Sequence, residues 1–235
     1  MLILWIVLAA APMKADSSSS RWQPLAEHYV GLTKCLSSGS CKLDDALEES
    51  GRLESALANA PPPDADELRR RVASRDPAAR AAALAVMSVQ HLQDESAFRA
   101  ILDGYPSEQD LVTRRLAASA LASLSPGQVN MFASAMVSAF AGERDALAIV
   151  FARPALSQLD KQHALELFVA LMKAGTVEIR EIVRVMASDR EDGFMETFKH
   201  RLAEAGAQEG LKTITDFEAT KKAAREAEER DSKRK

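Results

Sequence analysis

The 235-residue chain is short of aromatics, glycines and cysteines, and each shortage removes a class of protein. Phe, Trp and Tyr together make up 5% of it, whereas strands draw on Val, Thr, Tyr and Phe. Ala, Leu, Arg and Glu abound instead, a mixture that favours helix. The ten glycines mostly punctuate the ends of apolar segments. None lies in a phosphate-cradling loop, a GxGxxG or a GxSxG elbow, so nucleotide and hydrolase readings lose support. His28, His91, His163 and His200 fall one to a segment, with no HExxH or His-x-His spacing, so the sequence points to no metal and no cofactor. A formal net charge of −4 supplies no surplus of cations for phosphates, and nucleic acid is not an expected partner.

What is present fits a folded all-α protein: 47% hydrophobic and 27% charged residues suffice for one or two cores. The start, "MLILWIVLAAAPMKADSSSS", is an apolar run from Met1 to Met13 followed by a polar flank. It falls short of the roughly 20 residues of a membrane span. Its small residues, Ala9, Ala10, Ala11 and Ala15, suit a signal peptide over residues 1–15, cleaved after Ala15. No basic residue precedes the run, and Pro12 obstructs cleavage after Ala11, so an uncleaved anchor or a buried first helix stays open. Membrane contact is expected only if the segment is retained.

Cys35 and Cys41 lie close together in "KCLSSGSCK", where Ser and Gly permit a tight turn. They are the natural pair for one disulfide, which suits a periplasmic or secreted bacterial protein. A redox pair or half a metal site is the alternative. Redox motifs, however, usually separate their cysteines by two residues, and nothing completes a zinc set.

Residues 16–60 read as a helical hairpin joined by the cysteine-flanked turn, and Pro61, Pro62 and Pro63 close it. A helical domain over 61–206 follows, opened by Asp64 or Asp66 as a cap, and then a charged tail over 207–235. Within the domain, Asp76, Pro77 and Arg80 precede the stripe Ala83, Leu84, Met87; thirty-four residues on, Asp110 and Arg114 precede Ala117, Ala118 and Leu121. In each copy an acidic residue caps a helix, a basic one follows four positions later, and alanines allow close approach of a neighbour. Arg180, with Thr176 as cap, marks a weaker third copy. Further on, Ser125, Pro126 and Gln128 form a capping box, Pro154 is expected to break a helix, and Asp189 to cap the one that ends at Gly206.

The Asp-Pro-x-x-Arg-x-x-Ala pattern over residues 64–124 resembles the HEAT family of α-helical repeats, in its short bacterial form. That resemblance implies an α-solenoid of antiparallel helix hairpins with a concave partner-binding face, in a family that is mostly scaffold and adaptor. It does not exclude catalysis.

Three other groupings invite a functional reading. Asp44, Asp45, Glu48 and Glu49 share helical faces, which the helix dipole explains without a cation. Met131, Met136, Met172, Met186 and Met195 join Phe132, Phe140, Phe151, Phe168, Phe194 and Phe198 at core spacing, and could also line a groove. In the tail, Leu211, Ile214 and Phe217 can dock on the body or a partner, while Lys233, Arg234 and Lys235 could approach an acidic surface. The expected function is therefore a non-catalytic exported scaffold or adaptor that binds another protein through a concave helical face. The alternatives are a membrane-tethered envelope subunit, or an enzyme or cofactor-handling protein with a site assembled across helices, its deep pocket gathering His163, Glu166 or another His and carboxylate pair.

Overall fold

A computed structural model describes residues 19–232, and within them the chain is all-helical, with no strand. The helices are α1 (Ser19–Ser38), α2 (Leu43–Ala58), α3 (Ala65–Val72), α4 (Pro77–Gln90), α5 (Glu95–Gly104), α6 (Leu111–Leu121) and α7 (Pro126–Phe140). They continue with α8 (Ala146–Leu156), α9 (Lys161–Ala174), α10 (Val177–Ser188), α11 (Phe194–Glu204) and α12 (Gln208–Ser232). The expected signal peptide, residues 1–15, and Lys233, Arg234 and Lys235 lie outside the described residues.

Short polar residues start most of these helices. Asp64, Asp76, Asp94, Asp110, Asp145 and Asp160 each accept a backbone N–H from the first turn, and Ser125 and Gln128 complete the capping box. Each such cap stabilises its helix by about 1 kcal/mol. Two expectations fail. Helix α8 runs through Pro154, which lies in its last turn on the exposed side next to Val150; the carbonyl deprived of a donor is that of Val150, on the solvent side. Asp189 does not cap α11: it ends α10, its carboxylate pairs with Arg153 at 3.0 Å, and α11 opens instead at Gly193, whose φ of 81° suits glycine.

The helices pack in two interleaved rows. One runs α4, α6, α8, α10, each against the next; the other runs α3, α5, α7, α9, α11 in the same way. Helices α1 and α2 cover α4, while α12 closes the far end on α9, α10 and α11. One buried apolar cluster extends from Trp22 to Ile214. Alanines allow the close approach: Ala81, Ala82, Ala83 and Ala85 are all buried in α4, and Ala117, Ala118 and Ala120 in α6.

Gly175 lies in the two-residue connection between α9 and α10. A Cβ there would press on the Leu171 carbonyl oxygen and lie 2.7 Å from Ile179 Cγ2. The carbonyl is backbone, already accepting the Gly175 N–H, so it cannot yield cheaply. Gly175→Ala is expected to cost roughly 1–3 kcal/mol, read as a lower urea midpoint at unchanged m.

Candidate functional site

The repeat-marking arginines form a chain of contacts between successive helix starts. Arg80 donates through Nη1 to the Ser74 and Arg75 carbonyls (2.8 and 3.1 Å) and through Nη2 to Glu108 Oε2 (2.7 Å). Arg114 does the same one repeat on: Nη1 to the Glu108 carbonyl (2.9 Å), Nε to Glu143 Oε2 (2.8 Å). Each glutamate stands two residues ahead of the next cap, and its other oxygen accepts that cap's backbone N–H: Glu108 from Asp110 (3.1 Å), Glu143 from Asp145 (2.8 Å). Asp145 thus shares the Glu-x-Asp start of Asp110, but Ile149 stands where an arginine would be, and the relay stops there. Arg180 keeps the backbone half alone, donating to the Gly175 carbonyl at 2.9 Å.

Glu143, 2% exposed, is the densest point of this network. Tyr105 Oη donates to it at 2.5 Å, Arg114 lies over the Tyr105 ring, and that ring packs on Phe140. Burial pushes the Glu143 carboxyl up, but the hydrogen bonds from Tyr105, the Asp145 backbone and Arg114 outweigh it and hold it below the usual range. Burial first, then the Glu143 carboxylate, pushes the Tyr105 phenol well up. Every group is spoken for, so the cluster joins helices and has nothing left to offer a substrate.

A groove of about 920 Å³ lies between α9 and α11. Leu165, Val169 and Ala205 give it apolar ground, and Lys161, Glu166, Arg201 and Glu204 border it with both signs of charge. Beside it, His163 Nδ1 lies 2.6 Å from Asp160 Oδ2 and Nε2 lies 3.1 Å from Ser134 Oγ, an Asp-His-Ser order that links α9 to α7. Ser134 is mid-helix, where the backbone N–H groups of α7 are committed to carbonyls one turn back and do not serve as oxyanion donors. The Asp160 carboxylate also caps α9; the His163 backbone N–H is the main cause holding its pKa below the usual range.

No family model, curated protein or solved structure matches the chain.

The residues singled out in the sequence therefore stand on the geometry alone. Cys35 and Cys41 form a disulfide, Cα atoms 5.6 Å apart, at the α1–α2 turn. Lys34 beside it pairs with Asp110 at 3.5 Å. Arg80, Asp110 and Arg114 are brought into one relay through Glu108, Asp76 caps α4 without joining it, and Arg180 keeps the truncated form. The histidines are not gathered: His28 is on α1, His91 ends α4 in the left-handed region (φ 51°), and His200 faces Glu204 on α11. Glu166 lines the groove while His163 is engaged by Ser134 and Asp160, so the two form no joint pocket. Glu48 and Glu49 both reach Arg52. Among the described residues no three His, Cys, Asp or Glu side chains converge as metal ligands.

Of the methionines and phenylalanines, Met136, Met172, Met186, Phe132, Phe140, Phe168, Phe194 and Phe198 are core, whereas Met131 and Phe151 stay exposed. In the tail, Ile214 is buried and Phe217 lies under the Arg184 guanidinium at 4.0 Å, so the start of α12 docks on the body. Among the described residues no helix is long and apolar enough to cross a membrane. Sequence reasoning missed Glu108, Glu143 and Asp145, whose signal is the Glu-x-Asp spacing in "EQD" and "ERD".

Proposed function

We propose that the chain is an exported, non-catalytic α-solenoid of HEAT-like repeats that binds another protein along the face built by α5, α7, α9 and α11. The carrying observation is the α9–α11 groove, with its apolar ground and mixed charged border, a combination suited to a helix or extended peptide. The two interleaved rows and the arginine relay support the repeat reading, since from α3 onward each hairpin packs mainly against the hairpins next to it in the chain. The disulfide supports export.

The test places a photoreactive phenylalanine analogue at Gln162 or Glu166, in the native host, and at Glu54 on α2 as control. A discrete protein adduct is expected from the two groove positions and not from the control. Adducts that form at Glu54 while the groove positions stay silent would move the binding surface elsewhere.

A further inference from the structure

Arg180 is the third arginine of the relay, and the structure shows twice what its counterparts bind. Arg80 gives Nε and Nη2 to Glu108 Oε2 (3.1 and 2.7 Å), and Arg114 gives Nε to Glu143 Oε2 (2.8 Å). In both, the second carboxylate oxygen accepts the backbone N–H of the aspartate two residues on, which caps the next helix. What each arginine reads is therefore a Glu-x-Asp helix start. The chain offers none to Arg180. Helix α12 packs next on α10 and opens with the Leu211 N–H donating to the Ala207 carbonyl; Ala205 stands two residues before that, where the glutamate would be. Among the described residues the Arg180 side chain has one hydrogen bond, to the Gly175 carbonyl at 2.9 Å, and no ion pair.

An exposed arginine without a carboxylate is ordinary, but a half-buried one carries a desolvation cost that a partner offsets. The other half-buried arginines are answered within the chain. Arg71, Arg80, Arg114, Arg115 and Arg184 each hold a carboxylate, and Arg190 lies against two phenylalanine rings and donates to two backbone carbonyls. Glu178 feels the Arg180 charge, but the Thr176 hydroxyl and its own backbone N–H come first in holding its carboxyl below the usual range. Arg180 instead lines a groove of about 380 Å³ between α10 and α12. The other cations there are spoken for: Arg184 by Glu181 and Lys212 by Asp216, both at 2.7 Å, with Glu209 behind Asp216. An incoming carboxylate thus meets a guanidinium already anchored through Nη1, so little side-chain freedom is lost on pairing. Val177, 63% exposed at the first position of α10, adds apolar ground to the same groove.

We infer that the α10–α12 groove is a second binding site, in which Arg180 holds the glutamate of a Glu-x-Asp helix start belonging to another protein. Glu108 and Glu143 are engaged inside the fold, so a second copy of the chain has neither to lend. The groove is separate from that between α9 and α11, so either site can fail without the other. The probe is an acetylated, amidated peptide copying residues 105–113, titrated into the isotope-labelled full chain while the Nε–H resonances of the arginines are followed by NMR. The Arg180 resonance is expected to shift saturably, with a dissociation constant of about 1 mM or lower, while that of Arg144, exposed on the α7–α8 loop, stays in place. The Glu108→Gln version of the peptide should bind at least about tenfold more weakly, and so should glutarate, which brings carboxylates without a helix start. A shift at Arg180 that does not saturate, or one matched at Arg144, overturns the inference. So does a Glu108→Gln peptide that binds as well as the original, and glutarate binding as tightly would hand the site to small carboxylates in place of a protein segment.

Discussion

Glu143→Ala is expected to destabilise the protein by about 3 kcal/mol or more and lower Tm by roughly 6–12 °C. The substitution leaves the Arg114 guanidinium and the Tyr105 hydroxyl without their carboxylate, and the backbone N–H groups of Arg144 and Asp145 without their acceptor, all at a site only 2% exposed. Unmet groups in such a site cost their full desolvation, which is why one truncation outweighs any single hydrogen bond. Tyr105→Phe removes one donor and should cost about 1 kcal/mol. The pH dependence follows from the depressed Glu143 carboxyl. Its folded value lies below the ordinary 4.5 of the unfolded chain, so its contribution is complete above that pH and is lost as pH falls through the folded value. Thermal melts of wild type and Glu143→Ala should therefore differ most near pH 7 and converge in acid. A difference that persists undiminished at pH 3 would show that Glu143 acts by filling space and not by its charge.

The same residue shows why part of the arrangement was legible in the sequence and part was not. Asp76 with Arg80, and Asp110 with Arg114, could be read because a cap and a helix face are local, set by spacing along one helix. Helix type and most starts follow for the same reason. Glu143 binds Arg114 across 29 residues and Tyr105 across 38, and nothing local marks a carboxylate for burial. Only its place two residues before a cap repeats that of Glu108, and with two instances the pattern is visible only once the partners are known. Asp189 misled because an acidic residue ahead of an apolar run reads as a cap, whereas here it is held by Arg153 from another helix. Pro154 misled because the rule against proline in helices assumes a carbonyl with no other recourse, and the Val150 side of α8 faces solvent. The α9–α11 groove was illegible outright: Glu166 and Arg201 are ordinary surface charges until two helices are placed side by side.

Phe168→Ala is expected to cost about 3–5 kcal/mol, and where the loss is felt tests the architecture. Phe168 is fully buried on α9, edge-on to Phe194 and Phe198 of α11 at 6.0 and 6.2 Å. Against it and Phe194 lies the guanidinium of Arg190, which donates to the Leu159 carbonyl at 2.6 Å; its Nε is buried without a partner. Burial lowers the Arg190 pKa, with no bonded carboxylate to reverse it. Truncating Phe168 opens a cavity beside this cation, and water entering there recovers some of its hydration, which pulls the cost toward the lower end; Phe168→Leu should cost about half as much. In a stack whose units touch only their neighbours, the damage stays near its source. Hydrogen exchange should therefore speed up in α9 to α12 while α3 to α5 keep their protection, whereas Glu143→Ala should loosen the α6–α8 junction in the middle. Uniform loss of protection from Phe168→Ala would mean that the helices melt as one cooperative bundle, and the repeat architecture proposed above would fall with it.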